Sequence, residues 1–453
     1  MLKTILLGAA LAAAAGLTAA KDVLPATELA PVDTVRPTSY SPFPGALAVQ
    51  VAKAKSASGE WACEPAVALD PNEPYRAAVG TVLNRVHTST TMGATWESQT
   101  LTSPLGVYGD PVLAYSPDGR LYYFHLSDSE GKGWKSPGHL DRMVVQWSDN
   151  HGQSWSSGAG IGYNPPKDQD KEWAYIDPRN GSLHLTWTEF DSYGSKKASD
   201  RSRIRYAQST DRGATWSKPV TLSLLEGDCL DDDGTTEGAV PAMDGMGRLH
   251  VVWSRGGKLW YNRSDNAGAT WLPKERSIGT QLGGWTFPIP TLGRANGLPF
   301  TVCRGNQDVL TMYGTSQRDV ARLWILPSRD QGEHWQDPIE FRPDPGCLHA
   351  FFGALSVDPT TQNLHAVSYA QQNDLSIVTY YSRSTDGGHT WTHLPIQKTG
   401  FQATPGVFFG DYNHIAAHKG VVYAVWTEQH QGVNSVWCLS LNERELFGDS
   451  PRP

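Results

Sequence analysis

Two long loops and the strands that flank them hold the side chains best suited to acid–base chemistry. His125 ends an aromatic run, and His139 opens the next one across the loop from Leu126 to Leu140. Some fifty residues on, Tyr193 lies in the loop from Glu189 to Ser202, and Arg203 and Arg205 begin the returning segment. Lys132, Lys135, Arg142, Lys196, Lys197 and Arg201 surround them, a local basic patch in a chain of formal charge −8. A guanidinium binds a carboxylate through planar, charge-assisted hydrogen bonds and offsets its charge, which acidifies the proton α to it. Histidine or tyrosine can then take that proton or return one to a leaving oxygen, if neighbours tune its pKa. Cations beside Tyr193 would push its pKa down toward working pH. The set therefore suits a polyanion, with Arg203, Lys132, Arg142 and Lys196 among the groups that could bind it and histidine or tyrosine to move protons. Each also has a plainer reading: the lysines as a solvated face, His125 as a core histidine, Tyr193 as a loop anchor.

The elements that must position these residues are marked by a repeated turn. It reads Ser-Asp-Asn-His-Gly-Gln-Ser-Trp at 148–155, and related octets begin at Ser209, Ser264, Ser328 and Ser384. A worn copy, Ser89 to Trp96, has Thr91 where the others carry Asp or Asn. The starting serines lie 59, 61, 55, 64 and 56 residues apart, and a period of that size marks a repeat fold. Asp or Asn can bond backbone amides two residues on, Gly permits positive φ, and Trp packs between neighbouring units. Between the octets, short alternating strands are separated by Gly, Asp, Asn and Pro turns, which predicts an all-β chain.

These octets resemble the Asp-boxes of the sialidase-type β-propellers. Innermost strands counted from near Cys63, Asp110, Glu172, Glu237, Phe287, Phe352 and Phe409 give seven blades; six remain possible if the first and last pieces close one blade. Seven blades resemble the propeller polysaccharide lyases that act on ulvan. That resemblance implies a His, His, Tyr and Arg site, which His125, His139, Tyr193 and Arg205 match in order, with Arg203 competing for the last place. It also implies β-elimination across a uronate linkage in an acidic polysaccharide. The sialidases, as a family, clamp a carboxylate with three arginines, the first in a Phe/Tyr-Arg-Ile-Pro motif; this chain has Tyr75-Arg-Ala-Ala78 there. A sialidase-like exo-glycosidase acting on a sialoglycan, and a noncatalytic glycan- or protein-binding propeller, are the alternatives. With the boxes between third and fourth strands, alternation puts the long second-to-third loops on the opposite, upper face, where propeller ligands gather.

Further candidates are less pointed. Glu237, Trp285, Phe351, Phe352 and Phe409 sit near innermost-strand starts, where they can line a sugar-binding cleft or simply pack the blades. His184 and His250 lie mid-strand and read as structural. The stretch from Asp228 to Asp233 could hold Ca²⁺ but lacks the EF-hand spacing, so a solvated loop is the better reading. Five cysteines, Cys63, Cys229, Cys303, Cys347 and Cys438, are too scattered for a disulfide framework, though one or two bridges are open. Cys347 with His349, and His414 with His418, raise a structural metal, Zn or Ca, while the chemistry above requires no cofactor.

At 453 residues, with Gly 45 and Pro 30, the chain has room for a large core. Residues 1–20 read as a secretory signal peptide cleaved near Ala20, 21–60 as a linker or N-terminal strap, 61–445 as a single propeller and 446–453 as a tail. No second apolar span follows, so the expected product is secreted or periplasmic, without a transmembrane segment, and a monomer. The acidic balance argues against nucleic acid as a partner. No phosphate loop, dinucleotide fingerprint or Gly-x-Ser-x-Gly elbow occurs.

Overall fold

The computed structural model describes residues 38–55 and 62–448; the signal peptide expected over residues 1–20 and the end of the tail lie outside them. The period in the sequence becomes a closed ring of seven antiparallel sheets. The first blade runs from Ala66 to Thr100, and the others begin at Val112, Asp168, Glu237, Phe300, His349 and His414. Six contribute four consecutive strands each. The seventh, which carries no box, supplies three strands of its own, and Ala46–Lys53 pairs with Val433–Asn442 to complete it. The stretch expected to be a linker or strap thus contains the strand that closes the ring. A hairpin, Thr286–Phe287 with Ala295–Asn296, precedes the fifth blade. Phe287, counted as an innermost-strand start, belongs to this hairpin, and the innermost strand itself is Phe300–Arg304.

Blade stacking explains the residue choice. A middle strand such as Leu121–Asp128 is covered on both faces by neighbouring sheets, and all eight of its residues are buried. It therefore reads as a continuous apolar run rather than an alternation. The outermost strands, such as Val220–Thr221, are exposed and short, which limits edge-to-edge pairing. Core clusters join successive blades; one combines Val49 and Val51 of the closing strand with Val67, Val79, Tyr423 and Val436.

The boxes sit where the third strand turns into the fourth, and their bonding repeats. In one, Ser209 Oγ accepts the Gly213 N–H at 3.0 Å, Asp211 accepts the Thr215 N–H at 2.9 Å, and Trp216 Nε1 donates to the Gly213 carbonyl at 3.2 Å. The worn copy keeps this scheme because the Thr91 hydroxyl accepts the Thr95 N–H at 2.9 Å. Gly152 shows why glycine recurs: its φ is +88°, and a Cβ there would meet Thr88 at 2.7 Å. His184 and His250 do the structural work expected of them, bonded at 2.8 Å to Tyr206 and Tyr261 respectively. Asp386 holds its box through Ser384, Thr390 and His389. Asp386→Ala is expected to lower stability by about 1 kcal/mol, read by urea denaturation, with turnover unchanged because the box lies on the face away from the site described next.

Candidate functional site

Innermost strands start on the face opposite the boxes, and there they bend toward the ring axis. Glu64, Asp110 and Gly410, just before such strands, and Lys171, Gly238 and Phe352, within their first four residues, all have positive φ between 47° and 94°. At Lys171, Gly238 and Phe352 the pairing register slips around a bulge. Bulges of this kind re-aim side chains, and strain in non-glycine residues is held where surroundings over-determine it. The result is an axial cluster of ionisable groups drawn from most of the ring.

Lys171 lies at its centre. Its Nζ is 2.9 Å from Asp411, 3.7 Å from Asp110 and 4.0 Å from Glu64. Arg294, carried by the hairpin before the fifth blade, binds Asp231 at 2.8 Å and Asp411 at 3.1 Å. Tyr193 donates its hydroxyl proton to Asp231 at 2.7 Å. Glu172 and Glu237, both buried, have carboxyl oxygens that meet no hydrogen-bonding partner on another described residue. A cavity of about 70 Å³ opens beside Glu172. One wall is Asp110, Lys171, Glu172, Asp411 and Tyr412; the other is apolar, including Val240, Phe300, Leu323 and Phe352.

The electrostatics split these carboxyls into two kinds. Burial would raise Asp411, but Lys171 and Arg294 outweigh it and hold this carboxylate well below its usual range. Glu172 is pushed well above its ordinary value, by burial first and then by Asp110. Glu64, Asp170 and Glu237 are raised in the same way, burial again leading. Burial disfavours the Lys171 ammonium, yet Asp110, Asp411, Glu64 and Asp170 more than compensate, so it stays charged. Asp411 is thus pushed toward its ionised form and Glu172 toward its protonated form, the pattern that separates bases from acids in one site.

The residues singled out from sequence distribute differently. His139 and Tyr193 do share the upper rim: Trp134 packs between them, 4.5 Å from one ring centroid and 5.1 Å from the other. His139 is buried, and that burial lowers its pKa to about 4. Tyr193 is not depressed by cations as expected; burial and then Asp231 raise its pKa well above the ordinary value, so it serves as a donor. His125 is fully buried within its blade, its Nδ1–H donating to the Leu126 carbonyl at 2.8 Å. Arg205 turns outward to Thr221 and the Pro219 carbonyl. Arg203 is held by Glu189, Asp191 and Glu226 at 2.8–3.1 Å. Lys132 pairs with Glu130, and Arg142 pairs with Asp141 while lying over the Tyr163 ring at 4.0 Å. Lys196 is exposed in its loop. Of the basic patch, Lys132, Arg142 and Arg203 are thus paired with acids.

Of the remaining candidates, Glu237 joins the axial cluster, while Trp285 is 1% exposed and packs in the interior. Phe351 and Phe409 belong to the core, and only Phe352 of the three lines the cavity. The Asp228–Asp233 stretch is ordered rather than a solvated loop: Asp228 and Asp232 bond its own amides, Asp233 accepts the Thr286 N–H, and Asp231 reaches the axis. Cys229, Cys303, Cys347 and Cys438 are free thiols. His349 Nδ1 accepts the Ala321 N–H and His414 Nδ1 the Val67 N–H; no group of three or more metal-ligating side chains stands together among the described residues. No helix among those residues is long and apolar enough to cross a membrane.

Neither a family model nor a curated protein matches this chain. Solved structures do resemble it, and those are sialidases. The NanB sialidase of Streptococcus pneumoniae is 11% identical with a TM-score of 0.48, covering 88% of this chain and 84% of its own. The Hadza microbial sialidase Hz136 is 13% identical with a TM-score of 0.48, covering 82% and 74%. The Trypanosoma rangeli sialidase is 12% identical with a TM-score of 0.43, covering 77% and 56%. At these values the likeness says nothing of chemistry. Fold and site together define a seven-bladed β-propeller with a buried carboxyl cluster at the upper end of its axis.

Proposed function

We propose that this protein is an exported glycoside hydrolase of the sialidase-like propeller kind, in preference to a uronate lyase. The observation that carries the reading is a pair of unlike carboxyls lining one cavity, Asp411 paired with Lys171 and Arg294, and Glu172 buried without a partner on another described residue. Hydrolysis of a glycosidic bond uses two such groups. Glu172 protonates the leaving oxygen, and Asp411 acts on the anomeric carbon or on the water that attacks it. Trp134, 44% exposed on the rim, offers an apolar face for a sugar ring, beside the Tyr193 hydroxyl. Elimination is less well served. It needs a free cation for the substrate carboxylate, and Arg203, Arg205, Lys132 and Arg142 are engaged elsewhere, while Tyr193 is no base.

The test is incubation of purified protein with a panel of glycans and glycosides covering neutral sugars, uronates and sialosides. Release of reducing sugar without an ultraviolet-absorbing unsaturated product is expected. Appearance of the unsaturated uronate would instead establish elimination, and binding without any cleavage would make this a recognition module.

A further inference from the structure

The axial site carries more acid than base, and its two cations already have partners. Resting on the hydrolase reading, we propose that the sugar bound beside Glu172 is uncharged, a ring presenting hydroxyls and no carboxylate or amine. A uronate or sialate would have to win Lys171 or Arg294 from Asp411 and Asp231, which already hold them. An anion placed there meets the Asp411 carboxylate in a low-dielectric setting, where repulsion is least screened. An ammonium would meet Lys171 and Arg294 in turn.

What the site leaves open is hydrogen bonding. Both Glu172 carboxyl oxygens and the Tyr412 hydroxyl, on residues that line the cavity, are buried without a partner on another described residue. A buried polar atom left unpaired costs free energy, so a ligand that pairs these atoms is favoured for that reason. A neutral carboxyl both donates and accepts, as a sugar hydroxyl does, so the two match without any charge moving. Burial raises the Glu172 pKa well above its ordinary value, which favours that neutral form. The rim adds Trp134, a stacking face indifferent to charge.

The test compares aryl glycosides that differ only in the ring: a neutral hexose or pentose, a uronic acid, a sialic acid and a hexosamine with a free amine. A kcat/KM for the best neutral glycoside at least ~10²-fold above every charged one is expected. Comparable or better cleavage of a uronate, sialoside or amino sugar would overturn the inference and leave the hydrolase reading standing. Binding is measured separately by calorimetric titration of neutral, uronate, sialylated and hexosamine oligosaccharides. Selective binding of the neutral set, unchanged by added salt, supports the inference even if nothing is cleaved, in which case only the hydrolase reading falls. Tighter binding of a charged oligosaccharide, or no binding of any, overturns it. In Glu172→Gln, whose amide imitates the neutral acid, affinity for the neutral oligosaccharide should stay within about threefold, since both groups donate and accept.

Discussion

Glu172→Gln should cut turnover on an unactivated glycosidic linkage by ~10²–10⁴-fold with the fold intact. Its carboxyl lines the cavity without a partner on another described residue, and the amide that replaces it has the same shape but no proton to give. A nitrophenyl glycoside is the control, because nitrophenolate departs without protonation. There the loss should be far smaller, whereas Asp411→Asn should damage both substrates. Equal losses on the two substrates in Glu172→Gln would remove it as the proton donor. Stability supplies a second readout with a definite sign. The folded-state pKa of Glu172 lies above its value of 4.5 in the unfolded chain, so its favourable contribution is complete below about pH 4.5 and is lost as pH rises through the folded value. The melting temperature of the variant should therefore gain on that of the native protein as pH rises from 4 toward 8. A constant difference across that range would mean that Glu172 is ionised in the folded state.

The sequence carried the architecture in a form that needs no partner to read. Each box is a local device of eight residues, with capping side chain, glycine at positive φ and tryptophan inside a single turn, and its recurrence counts the blades. Ring closure was less visible, since Ala46–Lys53 pairs with a strand nearly four hundred residues away. The site was obscured for a related reason. His125, His139, Tyr193, Arg203 and Arg205 drew attention because they crowd two loops, but neighbours in sequence are neutralised by neighbours across the sheet. Arg203 stands directly opposite Glu189 in the ladder, and strand alternation alone would have paired them. The axial residues come one or a few per blade, separated by forty residues or more, so no linear motif joins them. The signal was nevertheless present. Asp110, Glu172 and Glu237 were themselves counted as innermost-strand starts, and Glu64 and Asp411 lie within two residues of Cys63 and Phe409. In a closed ring all such starts meet at the axis, so a charge at most of them is a cluster. Arg294 and Asp231 could not be found this way, because they arrive on connections whose paths the period does not fix.

Lys171→Met is expected to be the most damaging single change to stability, costing about 3–5 kcal/mol at neutral pH, as measured by urea denaturation. The methionine fills much of the same space, so the cost is electrostatic. It arises because Asp411, and with it Asp110, would be left buried with a weakened counter-charge. Arg294 cannot replace the ammonium, being held between Asp231 and Asp411 on the other side. The pH dependence identifies the cause. In the native protein Asp411 has a folded-state pKa below its unfolded value of 3.8, so its contribution is present above about pH 3.8 and is lost as pH falls through the folded value. Without Lys171 its folded-state pKa rises, and the deficit of the variant should be greatest at pH 7 and shrink toward pH 4 as the carboxyls take up protons. A deficit of the same size at both pH values would assign Lys171 a packing role. Loss of turnover should accompany the change, because the lysine that stabilises the ring axis is the same group that holds the Asp411 carboxyl well below its usual range.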